Sequence, residues 1–177
     1  MRTILVTGPI GSGKSEVCRF FSANGIPVYD CDSRTKMLYS LVPGLKCSIE
    51  DRLGIRWKDI GVIFTDAGKR TTLESMVYPY VVDDIKTWKA DNADAPLVVI
   101  ESAVALDKKA FDDLYDTVLL VTADREIRQK RNPKVAERDA LQSFDGSRAD
   151  FVVENNSDKE CLYDKLETLL IKLKQDL

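Results

Sequence analysis

Histidine is absent from all 177 residues. That removes the side chain that titrates nearest neutrality, and with it imidazole acid–base chemistry and imidazole metal ligation. A general base in this chain has to be Asp, Glu, Lys, Tyr or Cys. The four cysteines, Cys18, Cys31, Cys47 and Cys161, are scattered with no CxxC pair, a spacing that argues against zinc and fits reduced thiols. No apolar run approaches the roughly 18 residues that span a bilayer. The chain enters an apolar strand at once, with no basic-then-apolar leader before it. The expectation is a cytoplasmic protein without a membrane partner. A basic excess is missing too: the net charge is −3. Nucleic-acid binders normally carry a basic footprint, so no such partner is expected. Internal repeats, low-complexity segments, the NKxD of guanine readers and the LSGGQ of transporter ATPases are all lacking.

What is present is an ordinary globular mixture, 44% hydrophobic and 31% charged, in a length that suits one domain with a real core. Short apolar runs alternate with helical spacings. Strands are expected at 3–7, 26–30, 96–100, 117–122 and 151–154. Helices are expected at 13–21, with Val17, Phe20 and Phe21 on one face, then at 33–41, 125–138 and 161–173. Residues 45–91 read as two or three helices, the longest opened by a loop at 65–70. Strand–helix alternation predicts a parallel sheet covered on both faces, with ligands outside the carboxyl ends of the strands.

One such end carries Gly8-Pro9-Ile10-Gly11-Ser12-Gly13-Lys14-Ser15, which fits GxxxxGK[ST] between a strand and a helix. The glycines let backbone N–H groups wrap an anion, and the following helix adds its positive end. Gly8, Gly11, Ser12, Gly13, Lys14 and Ser15 are therefore candidate ATP contacts. Lys14 reaches the β- and γ-phosphates, and the Ser15 hydroxyl suits Mg²⁺. Glu16 follows directly and is a further candidate ATP contact. It favours the helix dipole but sits near bound phosphate, so its carboxylate has to point away.

The stretch GPIGSGKSEVCRFFSANGIPVYDCDS, residues 8–33, resembles the start of the dephospho-CoA kinase family, which typically reads TGGIGSGKSTV and then an apolar strand ending in Asp-Ala-Asp. Lys69-Arg70 before Thr72-Leu73, and Tyr78-Pro79, stand where that family has an Arg-containing loop and a His-Pro helix. RADFVVENNS, residues 148–157, is similar to its late ADFVIxNxG. Similarity runs over nearly the whole chain and is dense in the first 32 residues. The segment 131–150 is shorter than the family's lid. The resemblance implies ATP-dependent phosphorylation of the ribose 3′-hydroxyl of dephospho-CoA. It also implies a three-layer αβα fold of the nucleoside-monophosphate-kinase type with a five-stranded parallel sheet. In that reading 1–177 is a single domain: a core of 1–40, 92–124 and 149–177, a helical acceptor-binding insertion at 41–91, and a lid at 125–148. The implied partners are ATP, Mg²⁺ and the small-molecule acceptor, in a monomer or small homo-oligomer.

Asp30 and Asp32 follow the second strand. The resemblance gives Asp32 the role of base, and Asp32 also reads as the N-cap of the next helix; Asp30 is a candidate metal carboxylate. Glu101 ends the third strand, either orienting Mg²⁺ waters or bonded to a backbone amide. Among Arg125, Arg128, Arg131 and Arg138, Arg131 and Arg138 are the candidate lid arginines, against a solvated helix face. Asn155 and Asn156 follow the last strand, Asn156 as the candidate adenine contact, against a simple turn. Arg70 and Tyr78 are candidate acceptor contacts, although Trp57, Trp88, Tyr78 and Tyr80 also read as core. The rivals are a kinase with a nucleoside or nucleotide acceptor, and a non-catalytic nucleotide-binding protein.

Overall fold

The computed structural model describes residues 1–139 and 146–175, the side chain of Arg138 excepted. Five parallel strands, β1 (Arg2–Thr7), β2 (Val28–Asp30), β3 (Leu97–Glu101), β4 (Thr117–Thr122) and β5 (Phe151–Glu154), form one sheet in the order β2-β3-β1-β4-β5. The central strand pairs Ile4 with Val99 on one side and with Thr117 on the other. Because side chains alternate along a strand, successive residues feed opposite cores. Ile4 and Val6 join Val17, Phe21, Leu119 and Leu166 on one face. Leu5 joins Tyr29, Ile49, Val77, Ile85 and Ile100 on the other. The first face is covered by α1 (Lys14–Ala23) and α7 (Lys159–Gln175), the second by α2 (Cys31–Leu41), α3 (Leu45–Leu53) and α4 (Ala67–Asp91). The expected three-layer αβα architecture with a five-stranded parallel sheet is what the chain adopts. Among the described residues no helix is long and apolar enough to cross a membrane.

Several boundaries differ from expectation. The second strand begins at Val28, not Ile26, and the next helix begins at Cys31. Its N-cap is therefore Asp30, whose Oδ1 accepts from the Ser33 amide at 3.1 Å, and not Asp32, which lies in the first helical turn. Both aspartates precede the apolar spacing, and the helix decides between them by starting directly after the strand, two residues earlier than a cap at Asp32 requires. Residues 45–91 hold two α-helices with a 3₁₀ segment, Trp57–Phe64, between them. Asp66 caps α4 through the Lys69 amide, so Lys69 and Arg70 are helical rather than in a loop. The helix expected at 125–138 is broken into α5 (Arg125–Arg131) and α6 (Val135–Asp139). Asn132 is extended (φ −149, ψ 118) because the ring of Pro133 crowds an α-conformation in the residue before it. Of the expected lid, 140–145 lie outside the described residues.

Candidate active site

The phosphate loop leaves β1 at Gly8, whose φ of +141 only glycine adopts comfortably; a Cβ there would also run into the Val121 carbonyl oxygen. Gly13, at φ +102, caps α1 with no side-chain bond, and a Cβ on it would meet the Asn155 amide. That amide is the loop's buckle. Asn155 is 6% exposed and donates Nδ2 to the Ser12 carbonyl at 2.8 Å. Arg131 lies over the same turn, its Nη1 3.4 Å from the Gly11 carbonyl and its Nη2 3.5 Å from Asn155 Oδ1. Lys14 folds back, donating Nζ to the carbonyls of Gly8 at 2.8 Å and Pro9 at 3.3 Å. Burial pulls its ammonium below the ordinary lysine range, and the charges of Glu101 and Asp32 oppose that pull.

Glu101 faces this lysine from the carboxyl end of β3, where it pairs in register with Asp30. Its Oε1 accepts from the Ser15 hydroxyl at 3.3 Å. Burial pushes its carboxyl above the usual range while Lys14 pulls it back. The Cys31 thiol is pushed up to about 12, chiefly by burial, so this cysteine is a neutral wall group rather than a nucleophile. Ser102, buried next to Glu101, turns its hydroxyl to the amides of Val104 and Ala105 and so fixes the turn after β3.

Two cavities open on these residues. The first, about 500 Å³, is lined by Gly11, Gly13, Lys14, Ser15, Glu16, Asp30, Asp32, Glu101 and Arg131, with Ile10, Arg19, Ser102, Ala103, Val104 and Asn132. The second, about 410 Å³, is walled by Tyr39, Phe64, Tyr78, Val81 and Phe111, with Cys31, Thr35 and Lys36 at its side. Asp32, Ser102 and Val104 border both. The Asp32 carboxylate is exposed to this junction, and among the described residues no side-chain hydrogen bond restrains it.

Most of the expected site thus converges. Gly8 and Ser12 shape the loop from behind, and the Ser12 hydroxyl is buried with no partner among the described residues. Glu16 borders the first cavity while its carboxylate is engaged elsewhere: Tyr163 Oη donates to it at 2.8 Å, Lys159 Nζ lies at 2.8 Å, and Arg19 pairs with it. Asp30 accepts from the Ser33 amide at Oδ1 and from the Ser33 hydroxyl at Oδ2, the latter at 2.6 Å. Asn156 lies outside both cavities, its Oδ1 accepting from the Asp124 amide at 2.8 Å. Tyr78 stacks edge-on against Phe111 with ring centroids 5.0 Å apart, while Arg70 reaches neither cavity. Arg128 is buried and grips both oxygens of Asp139 at 2.7 and 2.9 Å, which makes it a structural post. The side chain of Arg138 lies outside the described residues.

A phosphate loop on the central strand of a parallel 2-3-1-4-5 sheet, with a lysine, a serine and an acidic strand end around one cleft, defines the P-loop kinase class. No family model matches the chain, but individual relatives do. A Porphyromonas gingivalis dephospho-CoA kinase is 36% identical over 140 residues, 74% of this chain and 68% of that protein. A Fusobacterium nucleatum dephospho-CoA kinase is 29% identical over 182 residues, 92% of this chain and 93% of that protein. The chain belongs to the dephospho-CoA kinase family. A Thermus thermophilus crystal structure superposes with a TM-score of 0.78 at 27% identity, covering 97% of each chain. The dephospho-CoA kinase of Campylobacter jejuni shares the fold at 15% identity, with a TM-score of 0.69 over the whole of both chains.

Proposed function

We propose that this chain transfers the γ-phosphoryl group of ATP to the ribose 3′-hydroxyl of dephospho-CoA, giving coenzyme A and ADP. The observation that carries the assignment is the position of Asp32 at the junction of the two cavities, one built for phosphate and the other walled by aromatic rings. ATP occupies the first, its β- and γ-phosphates on the loop and on Lys14, which leaves the Gly8 and Pro9 carbonyls to reach them. The acceptor occupies the second, against the segment 41–91. Its hydroxyl gives its proton to Asp32 as the oxygen–phosphorus bond forms and the bond from the γ-phosphorus to the bridging oxygen of ADP breaks. Arg131, held over the loop, neutralises charge on the transferring group, and 125–148 acts as the lid.

The oxygen donors of this cleft fit Mg²⁺. The Ser15 hydroxyl and the Glu101 carboxylate stand together with Asp30 beside them, an all-oxygen set suited to a hard cation that keeps several waters. Bound Mg²⁺ supplies charge neutralisation across the β- and γ-phosphates. Ser15 is the direct ligand in this reading. Glu101 orients water, and Asp30, with both oxygens already committed to Ser33, acts through water at most.

A coupled ADP-release assay over a panel of acceptors tests the assignment. Stimulation by dephospho-CoA supports it. Stimulation by a nucleoside or nucleotide alone, or nucleotide binding with no turnover on any acceptor, overturns it.

A further inference from the structure

The corner between β2 and α2 carries Asp32, and the side chains that flank it converge on one carboxylate from another layer. Tyr29, in β2, is 1% exposed and donates its hydroxyl to Asp84 Oδ2 at 2.5 Å. Arg34, two residues beyond Asp32, donates Nε to Oδ2 at 2.8 Å and Nη2 to Oδ1 at 2.6 Å. Its guanidinium also lies over the Tyr29 ring, 5.6 Å from the centroid. Asp84 stands on α4, the helix whose Tyr78 and Val81 wall the second cavity.

We propose that Asp84 is a positioning residue for phosphoryl transfer, locking the corner that holds Asp32 to the helix that forms the acceptor cavity. The inference rests on the reading of Asp32 as the base. An ordinary surface ion pair contributes about 0–1 kcal/mol and fixes little. Here a planar fork and a phenol meet the same carboxylate, whose side chain is 16% exposed, so direction is specified as well as attraction. The two donors bracket Asp32 in sequence and the acceptor belongs to the facing wall. The network therefore sets the separation between base and bound hydroxyl. A misplacement of about 1 Å in such a pair lowers rate by up to about a hundredfold. The Lys14 cleft lies on the other side of Asp32 and, among the described residues, shares no hydrogen bond with the network.

The test uses the full chain with Asp84→Asn, Asp84→Glu, Arg34→Ala and Asp32→Asn. Steady-state kinetics with ATP and dephospho-CoA are combined with direct ATP titration and thermal melts. Asp84→Asn and Arg34→Ala are expected to lower kcat about 10- to 100-fold while ATP affinity stays within about twofold of the parent. A variant carrying both Asp84→Asn and Arg34→Ala should be little worse than either single change. Asp84→Glu, which keeps the charge and both acceptors, should recover part of the loss. Near-normal turnover in Asp84→Asn and Arg34→Ala beside an inactive Asp32→Asn overturns the positioning role alone. A fall in turnover that only tracks lost folded protein or lost ATP binding overturns it as well. An active Asp32→Asn removes the base, and this inference falls with it.

Discussion

The Ser15 hydroxyl donates to Glu101 Oε1 across 3.3 Å, joining the last residue of the phosphate loop to the carboxyl end of the neighbouring strand. Two elements that meet ligand from different sides are thus coupled before any ligand arrives. The contact also places a carboxylate beside Lys14 in a site that burial makes uncomfortable for both charges.

Glu101→Gln is accordingly expected to stabilise the free protein while impairing turnover. Burial raises the folded-state pKa of Glu101 above its unfolded value, so the folded chain holds that proton more tightly. Its contribution to stability is full below the unfolded value and is lost as pH rises through the folded one. Ionising this buried carboxylate as pH rises is therefore a liability that glutamine removes. Thermal melts should show the variant above the parent at pH 7, with the gap closing in acid. Turnover should fall about 10- to 100-fold, as for loss of a group that orients a metal's waters. A lower melting point at neutral pH together with unchanged turnover would sink both halves.

Gly13→Ala and Asn155→Ala separate two ways of damaging the same loop. Alanine at Gly13 meets both a φ of +102 and the Asn155 amide, so loop and helix start have to shift and ATP binding should be abolished. Asn155→Ala leaves the buried Ser12 carbonyl without its 2.8 Å donor, a loss of about 1–3 kcal/mol. That variant should remain folded with a raised KM for ATP. Combining the two relieves the clash but not the backbone strain, so ATP titration of the double variant should still find no binding. Restored affinity would show that the clash alone mattered.

The contrast between these residues explains what could be read from the sequence. The phosphate loop was legible because its chemistry is local: eight consecutive positions fix the backbone path, and Lys14 and Ser15 follow from it. The sheet was legible because β-branched runs such as 97–100 and 117–121 end at turn signals. Asn155 was named only as a nucleotide contact or a turn, since its partner Ser12 is 143 positions away. Arg128 looked like any member of a charged helix until Asp139 and the Ile10 carbonyl closed around it. The helix break at Asn132 was available in the Asn-Pro pair, and charge periodicity through 125–138 concealed it. Glu101 was visible as a strand end, but its company of Ser15 and Lys14 is a product of strand order.

Arg128 and Arg131, three positions apart on α5, should respond to truncation in opposite ways. Arg128 is 8% exposed and satisfies Asp139 with two hydrogen bonds while its Nε holds the Ala123 carbonyl at 3.1 Å. Arg128→Ala removes these bonds and leaves the Ala123 carbonyl and the partly exposed Asp139 carboxylate without their donor, and should cost about 1–3 kcal/mol. The Arg128 hydrogen bonds draw the Asp139 carboxyl below the usual aspartate range. That part of the stability is present above the unfolded pKa and is lost as pH falls through the folded one. Denaturant midpoints should therefore drop more steeply in acid for the parent than for Arg128→Ala. Arg131 is exposed, and its loop contacts are long, at 3.4 and 3.5 Å. Arg131→Ala should shift the midpoint by no more than about 0.5 kcal/mol, as for a surface change, and should reduce kcat through lost charge neutralisation. A destabilised Arg131→Ala with normal kcat would reassign this arginine to the scaffold and leave the transfer step without its lid cation.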